Sequence, residues 1–205
     1  MMTPPAAGET RRYRLSSYAD EVRPLYEAKD PAHDFVHIER ILARVELLAE
    51  GEAPRWDLLY FLVCFHGLVP RMADSGFRQG TAQFLEGLGW NPAEADEGVA
   101  ALERHLTGPV SLEEQLVHDA NYWEAIGPFG IAKAFTTGGA RGQRIEETLR
   151  LARVFVDRPV FRTSTARRLA PARRAYAHSF LDELERELNS PWCRTAAEAS
   201  GTTGG

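Results

Sequence analysis

The chain has 205 residues, of which 44% are hydrophobic and 10% aromatic, enough for one sizeable buried core. Its formal net charge of -5 argues against binding to a nucleic-acid polymer, although a nucleotide-sized ligand is compatible with it. Two cysteines, Cys64 and Cys193, suggest no disulfide framework. The N-terminus has no apolar segment of signal-peptide length, and the longest apolar run, at 58–65, is far too short for a membrane span. We therefore expect a cytoplasmic protein that does not contact a membrane.

The two ends of the chain differ in composition from the middle. Residues 1–11 and 191–205 are rich in small residues and proline, and we predict a disordered tail at each end. Residues 12–190 are predicted to form a single helical domain. Its first helix is predicted over 13–29, where apolar residues recur at helical spacing, although Pro24 can bend it.

A second helix is predicted from Asp30, which is a suitable N-cap, with Pro31 as its first helical residue. His33, His37 and Arg40 follow at spacings of four and three, so we expect them to share one polar face. A separate face is apolar and suited to packing in a core. Its residues are Ile38, Ile41, Leu42, Val45 and Leu48.

Seven further segments carry the helical period and are separated by turn residues. They are an almost entirely apolar helix over 56–68, helices over 77–88, 92–106 and 111–126, a short helix within GPFGIAKAF followed by a flexible glycine-rich loop (TTGGARG), and helices over 143–156 and 163–188. A loop is predicted after His66, in GLVPRMADSG. No segment alternates with a period of two, so the predicted fold class is all-α, a bundle of about seven to nine helices.

Five motifs in chain order resemble those of the HD-domain superfamily of metal-dependent phosphohydrolases, most closely its small stand-alone branch. They are HDFVHIERI at 33–41, FHG at 65–67, DANYWE at 119–124, GIAK at 130–133 and the segment from Thr163 through Arg173. The resemblance covers roughly residues 13–189 and implies an HD-domain-like helical bundle. It also implies a divalent cation (Mn²⁺, Mg²⁺ or Fe²⁺), held by two histidines and two aspartates, that activates a phosphoryl group or a water molecule.

Two of the four ligand positions that the resemblance implies have lost their carboxylate. His37 and His66 match the two histidines, whereas Gly67 and Asn121 stand where the family has aspartates. Mg²⁺ and Mn²⁺ favour carboxylate and water ligands, so the remaining set is weak. Asp119 lies about 200° round the helix from Asn121 and does not simply substitute for it. We therefore expect no cofactor, with a divalent metal at His37 and His66 only if one is retained.

These departures predict a metal-independent enzyme that uses histidine acid/base chemistry on a small polar or anionic metabolite. The predicted catalytic residues are His33, Asp34, His37, His66 and Asn121, and the predicted substrate-binding residues are Arg40, Arg71, Lys133 and Tyr122. Asp34 either complements the helix N-terminus or pairs with an imidazole, and we weigh the two roles equally.

Two other functions compete with this prediction. One is a conventional metal-dependent phosphohydrolase of a nucleotide-like phosphate ester, and the other is a non-catalytic ligand-binding module. In each case the predicted partner is a small molecule, and the sequence carries no signal for an oligomeric state.

The remaining histidines and several arginines are interpreted as structural. The histidines in this group are His105, His118 and His178. The basic residues early in the last helix are predicted to form a solvated face, balanced by the acidic LDELERE that follows: Arg167, Arg168, Arg173 and Arg174.

Overall fold

The computed structural model describes residues 7–27, 29 and 34–190, with side chains from residue 14 onward. Nine α-helices, two 3-10 helices and no β-strand occupy this part of the chain, which confirms the all-α prediction. The helices are α1 (Ala7–Tyr26), α2 (Phe35–Leu48), α3 (Trp56–Phe65), α4 (Ser75–Gly87), α5 (Pro92–Arg104), α6 (Leu112–Tyr122), α7 (Gly127–Ala140), α8 (Ile145–Asp157) and α9 (Ser164–Leu188). None of these helices has both the length and the apolar character needed to cross a bilayer.

The chain divides into two compact units. The single helical domain over residues 12–190 stays a prediction. The first unit contains the described residues up to Asn121 together with Phe161–Arg167, and the second contains Tyr122–Val160 and the residues from Arg168 onward. Helix α1 begins at Ala7, within the predicted tail 1–11. Residues 1–6 and 191–205, for which tails were also predicted, lie outside the described residues.

Helix α3 lies at the centre of the first unit. Every residue from Leu58 to Phe65 is buried, as the nearly continuous apolar sequence predicted. Helices α1, α2 and α5 pack against it. From α1, the rings of Tyr18 and Tyr26 are fully buried, and both lie on the face that the helical spacing predicted.

Helix α2 starts later than predicted. Asp34 is extended and is the N-cap, and Phe35 is the first helical residue, so the predicted start at Asp30 is wrong. Asp30, Pro31 and His33 lie outside the described residues. The predicted apolar face is buried at Ile38, Ile41, Val45 and Leu48, whereas Leu42 is half-buried.

Two segments predicted as loops are helical. The chain forms a 3-10 helix, His66–Ala73, where a loop was predicted after His66, and this helix includes Pro70. The TTGGA sequence continues α7 to Ala140, because Gly138 lies against α8, where a Cβ would collide with Thr148. Helix α6 ends at Tyr122, four residues before the predicted end, and a 3-10 helix, Trp123–Ala125, follows it.

The core of the second unit is built from the apolar faces of α7, α8 and α9. Its buried residues are Ile131, Leu149, Ala152, Val156, Ala177 and Leu181. The prediction of a solvated arginine face is correct for Arg167 and Arg168, which are exposed, and wrong for the next two arginines. Arg173 lies over the Trp123 ring, and Arg174 donates to the Val156 and Pro159 carbonyls, so both are half-buried.

Candidate functional site

Two buried histidines of the first unit are in direct contact. The Nε2 atoms of His37, on α2, and His66, at the end of α3, are 3.0 Å apart, and the residues are only 3% and 5% exposed. His66 Nδ1 lies 2.8 Å from the Val63 carbonyl oxygen, so this nitrogen must carry a hydrogen and donate it. In the neutral pair His66 Nε2 is therefore the acceptor, and His37 Nε2 donates to it.

The surroundings of His66 favour its neutral form. Burial lowers the pKa of His66 well below its usual range, because an imidazolium loses its hydration there. The neighbouring His37 and His105 rings and the Lys29 ammonium lower this pKa further. The hydrogen bond to Val63 acts in the opposite direction but does not outweigh them. His66 is therefore an uncharged ring whose Nε2 lone pair accepts the hydrogen bond from His37.

Asp34 holds the first turn of α2. Its carboxylate accepts a hydrogen bond from the backbone N–H of His37 at 3.3 Å, which is the helix-capping role of the two considered from the sequence. This contact fixes the backbone of His37 and leaves the imidazole to be oriented by His66. His33, the predicted partner of His37 on the same face, lies outside the described residues.

The space beside Gly67, where the resemblance implies an aspartate, is filled by other side chains. A Cβ at Gly67 would lie 2.7 Å from the Tyr26 hydroxyl oxygen and 3.0 Å from Lys29 Nζ. The Tyr26 hydroxyl donates to the Cys64 carbonyl and accepts from the Gly67 N–H, both at 3.1 Å. Lys29 Nζ donates to the Gly67 carbonyl oxygen at 2.7 Å.

These residues do not suit a divalent cation. Of the four ligand positions that the resemblance implies, two hold imidazoles, one holds the half-buried amide of Asn121, and Gly67 has no side chain. The Lys29 ammonium lies in the space beside Gly67 that a carboxylate ligand at residue 67 would need. Within the residues that the structure describes, no three His, Cys, Asp or Glu side chains are grouped as a metal site would require.

Asp119 is held by a neighbouring segment of the first unit. Its carboxylate is fully buried and accepts from the backbone N–H groups of Arg162 and Thr163 and from the Thr163 hydroxyl, at 2.7 to 3.0 Å. It also bonds His118 Nδ1 at 2.8 Å. This carboxylate therefore joins α6 to the start of α9 and is not directed toward His37 and His66.

His105 extends the buried histidine cluster. Its ring is edge-on to that of His66, with centroids 6.4 Å apart, and its Nδ1 donates to the Leu102 carbonyl oxygen at 2.5 Å. Its Nε2 is buried and has no hydrogen-bond partner among the residues that the structure describes. Burial lowers the pKa of His105 to about 4, so the ring is neutral at physiological pH.

The predicted substrate-binding residues have different surroundings. Arg40 lies three residues after His37 on α2 and is half-buried. Arg71 is exposed and lies over the Phe77 ring, 4.5 Å from its centroid. Tyr122 and Lys133 belong to the second unit, where Lys133 donates to the buried Glu124 carboxylate at 2.6 Å.

Sequence reasoning missed Tyr26 and Lys29. Both fall within the predicted first helix, 13–29, whose helical spacing gives them no role at a site. Both contact Gly67 across about 40 positions of sequence, and no local pattern marks such a contact. The signal present in the sequence is indirect, because a glycine in place of an aspartate leaves a space that another side chain must fill.

Comparisons with known proteins support the fold. No protein-family model matches the sequence. The uncharacterized protein YpgQ of Bacillus subtilis is 24% identical in an alignment of 184 positions that covers 82% of this chain and 90% of YpgQ. A crystal structure of YpgQ in complex with ADP has a TM-score of 0.65 at 23% identity and covers 84% of this chain and 98% of YpgQ.

Two further solved structures are similar. The Lin1889 protein of Listeria innocua has a TM-score of 0.69 at 21% identity and covers 87% of this chain and 97% of its own. A protein of Bacillus thuringiensis described as an HD-superfamily hydrolase has a TM-score of 0.67 at 22% identity, with 88% and 99% covered. The chain therefore has the fold of the HD-superfamily hydrolases, as the resemblance of its five motifs implied.

Proposed function

We propose that this protein is a metal-independent enzyme of the HD hydrolase fold, which acts on a small polar or anionic metabolite through the His37–His66 pair. The observation that carries the proposal is this buried pair of imidazoles, together with a glycine and an amide at the two positions where the resemblance implies carboxylates. Neutral side chains do not compensate the charge of a divalent ion, whereas they do suit proton transfer.

The hydrogen-bond directions assign a role to each histidine. The His66 Nε2 lone pair already accepts from His37 Nε2–H, so His37 Nδ1 takes a proton from a water molecule or a substrate hydroxyl while the Nε2 proton of His37 passes to His66 Nε2. The Val63 carbonyl accepts from His66 Nδ1 and stabilises the imidazolium that forms. That imidazolium then returns the proton, through His37, to the leaving group. His37 orients the ring through its Nε2–H, and Asp34 fixes the backbone of His37.

Two further residues of the first unit complete the proposed site. Asn121 donates an amide hydrogen to the oxygen on which negative charge develops. Arg40 lies on the same helix as His37, less than one turn away, and contacts an anionic part of the substrate. Arg71, Tyr122 and Lys133 remain predicted binding residues.

A conventional phosphohydrolase is the second candidate, and one observation favours it. YpgQ, which shares the fold, has been crystallised in complex with ADP, so a nucleotide-like phosphate ester is a candidate substrate class for this chain. This function requires a divalent cation bound by His37 and His66 with water molecules in place of the missing carboxylates.

Metal response separates the two candidates. The protein, dialysed against EDTA, is heated with and without 1 mM of Mg²⁺, Mn²⁺, Co²⁺ or Fe²⁺. A cation at about 100 times its Kd would stabilise the fold by about 2.7 kcal/mol, equivalent to a rise in Tm of at least about 5 °C in a chain of this size. We expect no such rise. A rise that disappears in His37→Ala would refute metal independence.

Turnover tests the acid/base roles. A panel of nucleotides and other phosphate esters is incubated with the protein in EDTA, and products are detected by mass spectrometry. We expect turnover in EDTA that His66→Gln reduces at least about 100-fold. His178→Gln is the matched control, since this half-buried histidine of α9 bonds Asp157 outside the motifs. Binding without turnover, unchanged by both substitutions, would indicate a ligand-binding module instead.

A further inference from the structure

His105 is a buried polar side chain that the proposed reaction leaves unused. The residue is 0% exposed, and its ring is edge-on to that of His66, with the two ring centroids 6.4 Å apart. Its Nδ1 donates to the Leu102 carbonyl oxygen at 2.5 Å. A neutral imidazole carries one N–H, so Nε2 holds a lone pair and accepts hydrogen bonds. No residue in the described part of the chain donates to this nitrogen.

His66 shows how such a nitrogen is satisfied. Each of the two histidines is the C-cap of its helix, α3 or α5, and donates from Nδ1 to the carbonyl oxygen three residues earlier, of Val63 or Leu102. This bond directs Nε2 away from the histidine's own helix in both cases. His37 then donates to Nε2 of His66. The matching donor at His105 is missing from the described side chains.

An unpaired acceptor at this depth calls for a partner. Buried polar atoms of folded proteins are bonded, with few exceptions, to a protein group, an ordered water molecule or a ligand, because an unpaired one loses its hydration without compensation. Burial lowers the pKa of His105 to about 4, so the ring is not protonated at neutral pH and the lone pair persists. A bound molecule is therefore the source of the donor.

The chemistry of the donor follows from the lone pair. A carboxylate or a fully ionised phosphate carries no hydrogen, so neither can donate to Nε2. A metal ion needs more ligands than this cluster offers, because no three His, Cys, Asp or Glu side chains of the described ranges are grouped to hold one. An uncharged hydroxyl group meets the requirement, and it comes from a water molecule or from the ligand of the site.

We infer that His105 is a further binding residue of the His37–His66 site and that its Nε2 accepts a hydrogen bond from a hydroxyl group of the bound metabolite. This inference rests on the proposed function and narrows its ligand to one that carries a hydroxyl, such as a sugar phosphate or a nucleotide. A buried acceptor of this kind provides selectivity, because a ligand without the hydroxyl leaves it unpaired.

Binding of two probes in EDTA tests the inference. ADP combines an anionic group with ribose hydroxyls, and dideoxy-ADP is the same molecule without those hydroxyls. Each probe is titrated into the wild-type protein and three variants, and Kd is measured by calorimetry. His105→Gln places an amide oxygen near the position of Nε2, whereas His105→Asn keeps a donor for Leu102 and has no acceptor at that position. His178→Gln is the matched control, since this histidine of α9 bonds Asp157.

We expect the wild-type protein to bind ADP at least about fivefold more tightly than dideoxy-ADP, because one hydrogen bond to a buried acceptor is lost. His105→Gln and His178→Gln should keep this preference, and His105→Asn should abolish it. A purely structural role predicts the reverse, with His105→Gln the more damaging variant, since asparagine alone keeps the bond to Leu102. Equal binding of the two probes by the wild type, no binding of either, or an unchanged preference in His105→Asn would overturn the inference.

A crystal structure of the wild-type protein with ADP needs no substitution, so it does not depend on the folding of a variant. We expect a ribose oxygen about 2.7–3.2 Å from His105 Nε2. A water molecule alone at this position, or no atom at all, would contradict the contact with the ligand. The proposed function fails on a different result: binding with the expected preference but without turnover in EDTA would refute the enzyme and leave His105 as a binding residue.

Discussion

The close contact between Gly67 and Tyr26 predicts an unusual double-mutant cycle. A Cβ at residue 67 would lie 2.7 Å from the Tyr26 hydroxyl oxygen, about 0.7 Å short of ordinary contact at 3.4 Å. The ring of Tyr26 is fully buried, so it has little room to move. Overpacking of this kind costs about 1–3 kcal/mol. We therefore expect Gly67→Ala to lower the free energy of unfolding by that amount.

Removal of the hydroxyl should relieve this strain. Tyr26→Phe alone is also destabilising, by about 1–3 kcal/mol, because the Cys64 carbonyl and the Gly67 N–H lose their partner. In the Tyr26→Phe, Gly67→Ala double variant the closest atom is gone, so the loss should be at least about 1 kcal/mol smaller than the sum of the two single losses. Urea denaturation followed by circular dichroism measures all four proteins. Additivity within about 0.5 kcal/mol would refute the proposed packing.

Two other predictions concern polar groups of the first unit. Asp119→Asn places an amide against backbone N–H donors and should cost about 2–4 kcal/mol of unfolding free energy in urea, whereas Asp182→Asn on the exposed face of α9 should change it by less than about 1 kcal/mol. Equal losses would contradict the role of Asp119 in joining α6 to α9. His105 should make stability depend on pH, because its pKa of about 4 lies below the unfolded value of 6.5, so the unfolded chain binds the extra proton. Its contribution is complete above pH 6.5 and is lost as the pH falls toward 4, about 2 kcal/mol between pH 7 and pH 5. Urea denaturation at both pH values should show this loss reduced in His105→Gln, and an unchanged loss would contradict the assignment.

Much of the fold could be predicted from local sequence, because helical period and caps act over short distances. Asn91 and Glu94 form the capping box that starts α5 at Pro92, close to the predicted position. The predicted helix boundaries were wrong where a tertiary contact overrides a local signal. The glycine-rich sequence around Gly138 predicts a loop, yet this residue continues α7 because α8 packs closely against it. Pro70 likewise predicts a loop, although it lies within a 3-10 helix.

In the candidate site, too, some residues could be predicted from the sequence and others could not. The motif resemblance placed His37 and His66 in one site, and their Nε2 atoms are in contact. The side chains that fill the space at Gly67 could not be predicted. Tyr26 lies on α1 and Lys29 follows α1, so both are distant from Gly67 in the sequence. A missing aspartate is visible in a sequence, whereas the side chains that fill its volume are defined only by the packed structure.

Residue 67 and Lys29 have to be considered together. The resemblance implies an aspartate at residue 67, where this chain has a glycine, and Lys29 lies beside it. An aspartate restored at residue 67 would lie beside the Lys29 ammonium, and the two charges would pair with each other. Such a pair has no net charge to offer a divalent cation. The double substitution Gly67→Asp, Asn121→Asp would therefore not create metal affinity by itself. It would do so only in a protein in which Lys29 is replaced by a neutral residue and Tyr26 by phenylalanine.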